Sequence, residues 1–226
     1  VFVCLPSPMK SNGKQDLSFI NNFFKDEKIS SKPIYILKST VLPGTTKGLS
    51  KKYPKLKIVF SPEFLTERTA KLDILTQSRM IIGSDDNDLS SDVEKLFRLR
   101  FKNKNIIKTD TVTAEFIKYM NNNFFATKVS LMNEFYRLGK KIGVDWEEAL
   151  NGFVSDCRIG DSHLNVPGPD GKLGFGGSCF PKDINAFINF AKENNITMNV
   201  LEAAWNTNLE VRPEKDWEKL KGRAVS

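Results

Sequence analysis

The chain has 226 residues, of which 40% are hydrophobic and 27% charged, a composition typical of globular proteins that excludes a disordered chain. This length suffices for one large domain or two modest ones, each with its own core. The formal charge of +7 comes with lysines spread along the whole chain, so a nucleic-acid partner is not predicted. A membrane partner is not predicted either, because polar residues or glycine interrupt every apolar run within about ten residues.

Cysteine and histidine usage narrows the class further. The three cysteines, Cys4, Cys157 and Cys179, form no C-x-x-C pair and are too scattered for a disulfide framework. With His163 as the single histidine, no metal site is expected. Without an export signal, the chain is expected in the reducing cytoplasm. Because it opens with VFVCL rather than with methionine, we also expect that an N-terminal segment is missing.

Short apolar runs alternate with amphipathic stretches through the first half of the chain. Runs typical of buried strands lie at 1–5, 33–38, 57–60, 79–83 and 105–108. Stretches with helical spacing lie at 16–28, 44–53 and 91–101. Asp16 and Ser91 are the expected N-caps of the first and last of these helices. The alternation predicts an α/β fold with a parallel sheet covered on both faces.

The second half is predicted to be helical. Residues 113–143 predict one helix of about eight turns, begun by a Thr-x-Glu signal and closed at Gly143. Its apolar residues cover more than one face: Phe116, Ile117, Met120, Phe124, Phe125, Val129, Met132 and Phe135. Further helices are predicted at 146–154, 183–195 and 197–212, whereas the polar tail 213–226 is expected to fray. The predicted domains are therefore 1–112 and 113–212, followed by this tail.

Hydroxyl and carboxylate side chains follow two of the predicted strands. In KSTVLPGTT (38–46) a strand ends at Ser39 and Thr40, at the sheet edge where open α/β sheets bind ligands. Taken alone, this stretch is explained more simply as an ordinary strand-to-helix turn with a threonine cap. In SPEFLTERTA (61–70), Glu63 and Glu67 are four residues apart, so on a helical turn both carboxylates would share a face. The alternative for this pair is a solvated surface.

Lys118 and Asn122 have the same spacing on the long predicted helix, among apolar neighbours. A lysine in such surroundings either reaches the surface along its apolar stem or is buried with a partner. Three successive asparagines, residues 121–123, form helices poorly, which suggests that at least one amide has a specific role.

The stretch GKLGFGGSCFPKD (171–183) carries the sharpest signal. Its glycines permit positive φ angles and a close approach of the backbone to a ligand. Cys179 stands next to a predicted helix N-terminus and near Lys182, and both features favour the nucleophilic thiolate. An inert loop cysteine is the alternative.

Seven segments in this order resemble one family: LPSP, DLS, KSTVLPGTT, SPEFLTERTA, AEFIKYMNNNF, DCRIG and GFGGSCFPKD. The chain is similar to the UDP-glucose/GDP-mannose dehydrogenases over roughly residues 1–212. The resemblance implies an incomplete Rossmann-like sheet, the NAD-binding domain, followed by a long helix and an all-helical central dimerisation domain. It also implies oxidation of a nucleotide sugar by NAD in two hydride transfers.

The resemblance assigns the chemistry to a few side chains. Cys179 is the implied nucleophile, which captures the aldehyde as a thiohemiacetal that is oxidised to a thioester. Lys118 and Asn122 are the implied contacts of the reacting oxygen, and Asp183 supports the thiol. The implied residues for proton transfer and the hydrolytic water are Glu63 and Thr40.

Further roles follow from the same resemblance. The residues implied to contact NAD are Ser7, Thr40, Glu67 and Lys182. Those implied to contact the sugar nucleotide are Glu63, Phe64, Leu65, Glu67, Lys118, Asn122, Arg158 and Gly176. Arg158 is expected to reach the substrate of a neighbouring subunit, and the helix at 113–143 is expected to form a homodimer core.

The chain departs from the family pattern in three respects. It contains no G-x-G-x-x-G turn, no matching acidic ribose ligand and no third domain, so we expect the chain as it stands to bind NAD poorly. Among substrates, UDP-glucose is preferred over GDP-mannose and UDP-N-acetyl-mannosamine. The alternative function is a truncated, non-catalytic module that binds a nucleotide sugar or dimerises.

Overall fold

The computed structural model describes residues 1–26, 28–66 and 68–226. The predicted roles of Glu67 in binding NAD and the sugar nucleotide lie outside these residues. The chain forms two compact units, one of residues 1–8 and 15–120, the other of residues 9–14 and 121–226. The division falls inside the long helix, whereas the sequence predicts a boundary at residue 113.

The first unit is built on a five-stranded sheet in the order β1-β2-β3-β4-β5. Its strands are β1 (Phe2–Val3), β2 (Ile34–Leu37), β3 (Lys57–Phe60), β4 (Arg79–Gly83) and β5 (Asn105–Thr109). Its helices are α1 (Ser18–Lys25), α2 (Thr45–Lys52), α3 (Ala70–Thr76) and α4 (Asn87–Arg100). The predicted α/β fold is confirmed.

One junction of the sheet and one helix differ from the prediction. Neighbouring strands are parallel except β3 and β4, which pair antiparallel through Phe60 and Gly83. Alternating strands and helices indicate burial but do not fix strand direction, so the sequence pattern misses this reversal. Helix α3 is also missed, because none of its residues is buried and its sequence therefore carries no amphipathic signal.

Two predicted helix caps are wrong. Helix α4 begins four residues before Ser91, because the Asp86 side chain accepts hydrogen bonds from the backbone N–H groups of Asp88 and Leu89. At α1 the N-cap residue is Leu17 rather than Asp16. The Asp16 side chain accepts a hydrogen bond from the backbone N–H of Ser18, the first residue of the helix, whereas an N-cap side chain accepts from the second or third residue.

The two faces of the sheet each bury an apolar layer. On one face the residues are Val3, Tyr35, Leu37, Ile58, Phe60 and Ile81, packed with Ile20 and Phe24 of α1. On the other face Ile36, Val59, Met80 and Ile82 pack with Val93 and Phe97 of α4. Alternate side chains of β2, β3 and β4 thus enter different layers, which explains why these central strands are largely apolar.

Helix α5 (Thr111–Ile142) begins in the first unit and continues in the second. The second unit also contains α6 (Trp146–Val154), α7 (Phe180–Glu193) and α8 (Asn199–Val211). The predicted Thr-x-Glu start of α5 is wrong: Asp110 caps the helix by accepting from Thr113 N at 2.9 Å. No helix in the described part of the chain combines the length and apolarity that crossing a bilayer requires.

The C-terminal segment does not fray as predicted. Trp217 lies in a short 3-10 turn (Asp216–Lys219) and is buried, as is Ala224. Met9 N donates to Ala224 O at 2.8 Å, and Ser226 N donates to Met9 O at 2.9 Å. The polar composition of 213–226 concealed this packing, because its buried apolar residues, Trp217 and Ala224, stand singly among polar neighbours.

Candidate active site

Predicted ligand residues meet at the carboxyl ends of β1 and β2 in the first unit. Ser7, buried just after β1, donates its hydroxyl proton to the backbone oxygen of Thr40 at 2.7 Å. Leu5 N donates to the Ser39 hydroxyl at 2.8 Å. These bonds join the two loops that leave the sheet at the edge where ligands bind in open α/β folds.

Gln15 reinforces this edge and was missed by the sequence analysis. Its side-chain amide donates to Thr40 O at 2.8 Å and to the Tyr119 hydroxyl on α5 at 3.0 Å. Its Oε1 accepts from Leu42 N at 3.1 Å. A single glutamine in a loop has no periodicity or spacing to mark it, so the sequence contains no usable signal.

Lys118 on α5 is buried and does not reach the surface. Its Nζ donates to the backbone oxygen of Glu63 at 2.6 Å. The same ammonium lies 5.4 Å from the ring centroid of Phe64, and the Arg79 guanidinium lies 4.5 Å from that ring. Leu65, the residue that follows Phe64 in the sequence, is half-buried. The predicted residues Glu63, Phe64 and Lys118 therefore share one region of the first unit, with cations at the Phe64 ring.

Lys38 is a second lysine at this edge, and the sequence analysis missed it. Its Nζ donates to Pro62 O at 3.0 Å and approaches the Ser61 hydroxyl at 3.4 Å. Burial lowers the pKa of Lys38 to about 8, an effect that Glu63 opposes and the charge of Lys118 reinforces. As the first residue after β2, Lys38 resembles any solvated lysine at a strand end, which hides its role.

Glu115 fixes the lysine-bearing part of α5 to the turn before α2. The side chain is fully buried; its Oε2 accepts from Gly44 N at 2.6 Å and its Oε1 from Thr46 N at 2.8 Å. Burial raises the pKa of Glu115 to about 7, although the hydrogen bonds from Thr46 and Gly44 favour the carboxylate. Glu115 is thus a long-range helix cap rather than part of the start signal of its own helix.

The raised pKa of Glu115 predicts a pH-dependent stability. Between the ordinary value of 4.5 and about 7, the folded protein binds more protons than the unfolded chain, so the free energy of unfolding falls as pH rises. The Glu115→Gln variant lacks this titration. The stability of the unsubstituted protein relative to that variant should therefore be greater near pH 5 than near pH 8, by on the order of 2–3 kcal/mol in urea denaturation. Glu147→Gln, an exposed change on α6, is the control, and an equal difference at both pH values would contradict the prediction.

In the second unit, Asn122, Lys182 and Asp183 form one buried group. The Asn122 amide donates to Oδ2 of Asp183 at 2.7 Å, and the Lys182 ammonium binds Oδ1 at 2.5 Å. Asp183 N also donates to the backbone oxygen of Cys179 at 3.0 Å, closing the first turn of α7. A buried carboxylate with both oxygens bound is a rigid support for the residue that begins this helix.

Cys179 is the N-cap residue of α7, and its side chain is exposed. The Ser178 hydroxyl lies 3.8 Å from its sulfur. Lys182, expected to favour the thiolate, instead directs its ammonium to Asp183, so much of its charge is neutralised there. The positive end of the α7 helix dipole lies at this position, where it stabilises negative charge.

Two buried asparagines, both missed by the sequence analysis, hold the glycine stretch in place. Asn133 of α5 accepts from Gly174 N at 3.0 Å. Asn208 of α8 accepts from Phe175 N at 2.7 Å and donates to Phe175 O at 3.0 Å. Polar residues in predicted helices are usually solvated, so their sequence positions gave no sign of this function.

The glycines of this stretch have different reasons for lacking a side chain. A Cβ on Gly174 would lie 2.4 Å from Oδ1 of Asn208, and a Cβ on Gly176 would lie 2.6 Å from Nη2 of Arg212. The space that a side chain would need at both positions is filled by α8 and the residue after it, so packing alone accounts for these two glycines. Gly177 is different, because no described atom lies within 4 Å of its Cβ position.

Arg158 and His163 lie in the loop between α6 and α7. Arg158 is exposed and forms an ion pair with Asp156, its Nη2 lying 2.5 Å from Oδ2. The His163 ring stacks on Phe125 with 4.1 Å between ring centroids, and burial lowers the pKa of His163. Across residues 1–26, 28–66 and 68–226, no His, Cys, Asp and Glu side chains cluster as metal ligands would.

Two family models match the chain. The NAD-binding domain of the UDP-glucose/GDP-mannose dehydrogenase family matches residues 1–100, and its central domain matches residues 112–210. The chain belongs to this family. Of the residues described above, Ser7, Thr40 and Glu63 lie in the NAD-binding domain of this dehydrogenase family, whereas Asn122 and Cys179 lie in its central domain.

Relatives within the UDP-glucose/GDP-mannose dehydrogenase family agree with this assignment. A UDP-glucose 6-dehydrogenase from Rickettsia bellii is 37% identical and covers 97% of this chain, which spans 51% of that protein. A UDP-glucose dehydrogenase from Pyrobaculum islandicum superposes with a TM-score of 0.84 at 30% identity, over 92% of this chain and 50% of that one. A UDP-D-ManNAc dehydrogenase from Pyrococcus horikoshii gives a TM-score of 0.78 at 26% identity, over 93% of this chain and 50% of that one. The chain thus spans about half the length of these relatives.

Proposed function

We propose that the protein oxidises UDP-glucose to UDP-glucuronate with NAD, in two hydride transfers through a covalent intermediate on Cys179. The observation that carries the proposal is the exposed sulfur at the N-cap of α7, next to the buried group of Asn122, Lys182 and Asp183. A reactive thiol must be accessible and electrostatically favoured, and a helix N-terminus supplies the second condition. UDP-glucose is the proposed substrate because relatives such as the Rickettsia bellii protein are named UDP-glucose 6-dehydrogenases.

The cofactor is NAD, since the family model that matches residues 1–100 is an NAD-binding domain. When bound, NAD accepts the hydride from the sugar carbon. Ser7 and Thr40 fit such a ligand because they lie at the carboxyl edge of parallel strands. The Ser7 hydroxyl donates its hydrogen bond to Thr40 O, so the lone pairs of its oxygen can accept a hydrogen bond from the cofactor. The ammonium of Lys182 is bound to Asp183, so that residue fits an NAD contact less well.

Cys179 prevents the escape of the aldehyde that the first oxidation produces. Its thiolate sulfur forms a bond to the aldehyde carbon, and the carbonyl electron pair moves to oxygen, giving a thiohemiacetal after protonation. Loss of a hydride from that carbon and of the hydroxyl proton gives a thioester. Water then adds to the thioester carbon, and the carboxylate forms as the thiolate leaves.

Asn122 and Lys118 are the proposed stabilisers of negative charge on the reacting oxygen. They are one turn apart on α5, which holds both side chains on a rigid helix. An asparagine amide carries two N–H donors, and Asp183 binds one of those of Asn122. Lys118 supplies a positive charge. Loss of one such preorganised donor raises a barrier by about 2.7–4 kcal/mol in comparable sites.

Glu63 is the proposed base that activates the hydrolytic water, with Thr40 as its partner in handling the proton. The hydrogen bond from Lys118 to Glu63 O supports this role. It holds the main chain of Glu63 in place and does not involve the Glu63 carboxylate. Phe64, Leu65 and Gly176 are the proposed neighbours of the sugar nucleotide. Arg158, exposed on its loop, is the proposed contact with the substrate of a second subunit.

The proposal is tested by supplying UDP-glucose with a large excess of NAD, which offsets the weak cofactor binding expected of this chain, and following NADH absorbance and UDP-glucuronate formation. Two NADH should form for each UDP-glucuronate, and GDP-mannose should react more slowly. Binding of UDP-glucose without any oxidation would instead support a non-catalytic module. The cytoplasm is the proposed location because all three cysteines are free thiols.

A homodimer through α5 is part of the proposal. Large apolar side chains are exposed along one stripe of this helix at spacings of seven, four, three and four residues: Phe124, Leu131, Phe135, Leu138 and Ile142. Such a contiguous apolar surface is typical of an interaction site. A second copy fits it, since a twofold axis lets the same apolar stripe cover itself.

Leu138→Lys is expected to convert the dimer to a monomer at micromolar concentration, because a charge buried within an apolar interface has no partner. Sedimentation velocity measures the change. Leu99→Lys is the matched control, because Leu99 is an even more exposed leucine on α4, outside the stripe. A monomeric unsubstituted protein would contradict the proposed dimer.

A further inference from the structure

One buried lysine, Lys118, and one half-buried lysine, Lys38, bind successive carbonyl groups after β3. Ser61 N still donates to Leu37 O at 2.9 Å, so the ladder with β2 continues to this residue. The next two backbone oxygens accept from side chains: Pro62 O from Lys38 Nζ at 3.0 Å, and Glu63 O from Lys118 Nζ at 2.6 Å. The segment 61–63 is therefore held by two ammonium groups from different elements, the end of β2 and α5.

Two cations are a costly way to satisfy two carbonyl groups. A neutral donor such as a glutamine amide would do so with a smaller desolvation penalty, and like charges close together repel. Lys38 and Lys118 influence each other electrostatically, and Glu63 and Cys4 also face Lys38. If the two carbonyl groups only needed hydrogen-bond donors, a charged residue would not be required at both Lys38 and Lys118.

We propose that Lys38 is a positioning residue: together with Lys118 it anchors the main chain of Pro62 and Glu63, so that the Glu63 carboxylate and the Phe64 ring are presented to the sugar nucleotide. This inference rests on the proposed function for the ligand, but the anchoring itself rests on the hydrogen bonds of the first unit. Lys38 contacts neither reacting atoms nor substrate in this role and acts through Glu63.

The test compares Lys38→Met, Lys38→Arg and the unsubstituted protein. Methionine keeps the length of the side chain and removes the donor, whereas arginine keeps a charged donor. Lys47→Met, an exposed change on α2, is the control. Amide hydrogen exchange of peptides that cover residues 61–66 reads the anchoring, and calorimetric titration with UDP-glucose reads the affinity.

In the Lys38→Met variant, exchange in residues 61–66 should accelerate by about tenfold and the Kd for UDP-glucose should rise by about tenfold. Lys38→Arg should recover most of both losses, and Lys47→Met should change neither. Exchange and affinity equal to those of the unsubstituted protein would overturn the inference, as would faster exchange with unchanged affinity, which is the mark of a merely structural lysine.

Failure of the proposed function can be distinguished from failure of the anchoring role of Lys38. An unsubstituted protein that does not bind UDP-glucose would overturn the proposed substrate, while the exchange measurement, made without ligand, still decides whether Lys38 anchors the segment. If Lys38→Met does not fold, Lys38→Gln provides the comparison, since glutamine is an uncharged donor. Tight binding by that variant would overturn the need for a charge at this position.

Discussion

Replacement of Cys179 by alanine is expected to lower the rate of UDP-glucuronate formation by about 10⁴-fold or more, the scale seen when an enzyme loses its covalent nucleophile. Without the sulfur, the aldehyde has no covalent anchor and the thioester cannot form. UDP-glucose should still bind with nearly unchanged affinity, because the sulfur forms its bond only after the first oxidation. Product analysis and calorimetric titration measure these two quantities.

Cys157→Ala is the matched control, since Cys157 is also an exposed cysteine of the second unit and is given no role in the reaction. It should leave the rate within about twofold of the unsubstituted protein. Iodoacetamide provides a second readout that needs no cofactor: Cys179 should be alkylated faster than Cys4 and Cys157 near neutral pH. All three cysteines are exposed, so unequal rates would reflect differences in intrinsic reactivity rather than in access. Equal rates, or full activity in the alanine variant, would refute the nucleophile.

The sequence predicts best those elements in which buried residues recur at regular intervals. The central strands β2, β3 and β4 are largely apolar because both faces of the sheet are covered there, and α5 is long enough for its helical spacing to be unmistakable. The direction of strands and the presence of exposed helices are harder to predict from the sequence. The antiparallel junction of β3 and β4 and the exposed helix α3 leave no mark on the hydrophobic pattern.

For the candidate site, the sequence identifies residues whose chemistry is unusual for their setting, and misses those that act as scaffold. A thiol among glycines and a lysine among apolar residues both conflict with local expectation, so Cys179 and Lys118 draw attention. Gln15, Lys38 and Asn208 satisfy distant backbone groups, and nothing local distinguishes them from solvated polar residues. Their importance arises only when the chain is folded.

Gly174→Ala is expected to destabilise the protein by about 2–4 kcal/mol more than Gly177→Ala, because it disturbs buried hydrogen bonds in addition to straining the backbone. The two glycines have nearly the same positive φ angle, +66° at Gly174 and +70° at Gly177. Each alanine variant therefore pays a similar penalty of about 1–2 kcal/mol for the left-handed region. What differs is the surroundings of the new methyl group.

At Gly174 the methyl would lie 2.4 Å from Oδ1 of Asn208 and 2.9 Å from Cγ2 of Val211. Asn208 can move only by breaking its two hydrogen bonds to Phe175, and each buried group left unpaired costs about 1–3 kcal/mol. At Gly177 the methyl would meet no described atom within 4 Å. Urea denaturation of both variants measures the difference, with unchanged m-values as the sign of a common two-state transition.

The same pair of variants separates the scaffold from the reactive thiol. Because Gly174 lies five residues before Cys179 and is tied to Asn133, displacement of the loop at this point should alter the alkylation rate of the thiol at concentrations of urea where the protein is still folded. Gly177→Ala, although closer to the sulfur in sequence, should alter it less. Equal destabilisation by the two substitutions would mean that the asparagine contacts do not hold the loop, and the rigid support proposed for Cys179 would then depend on Asp183 alone.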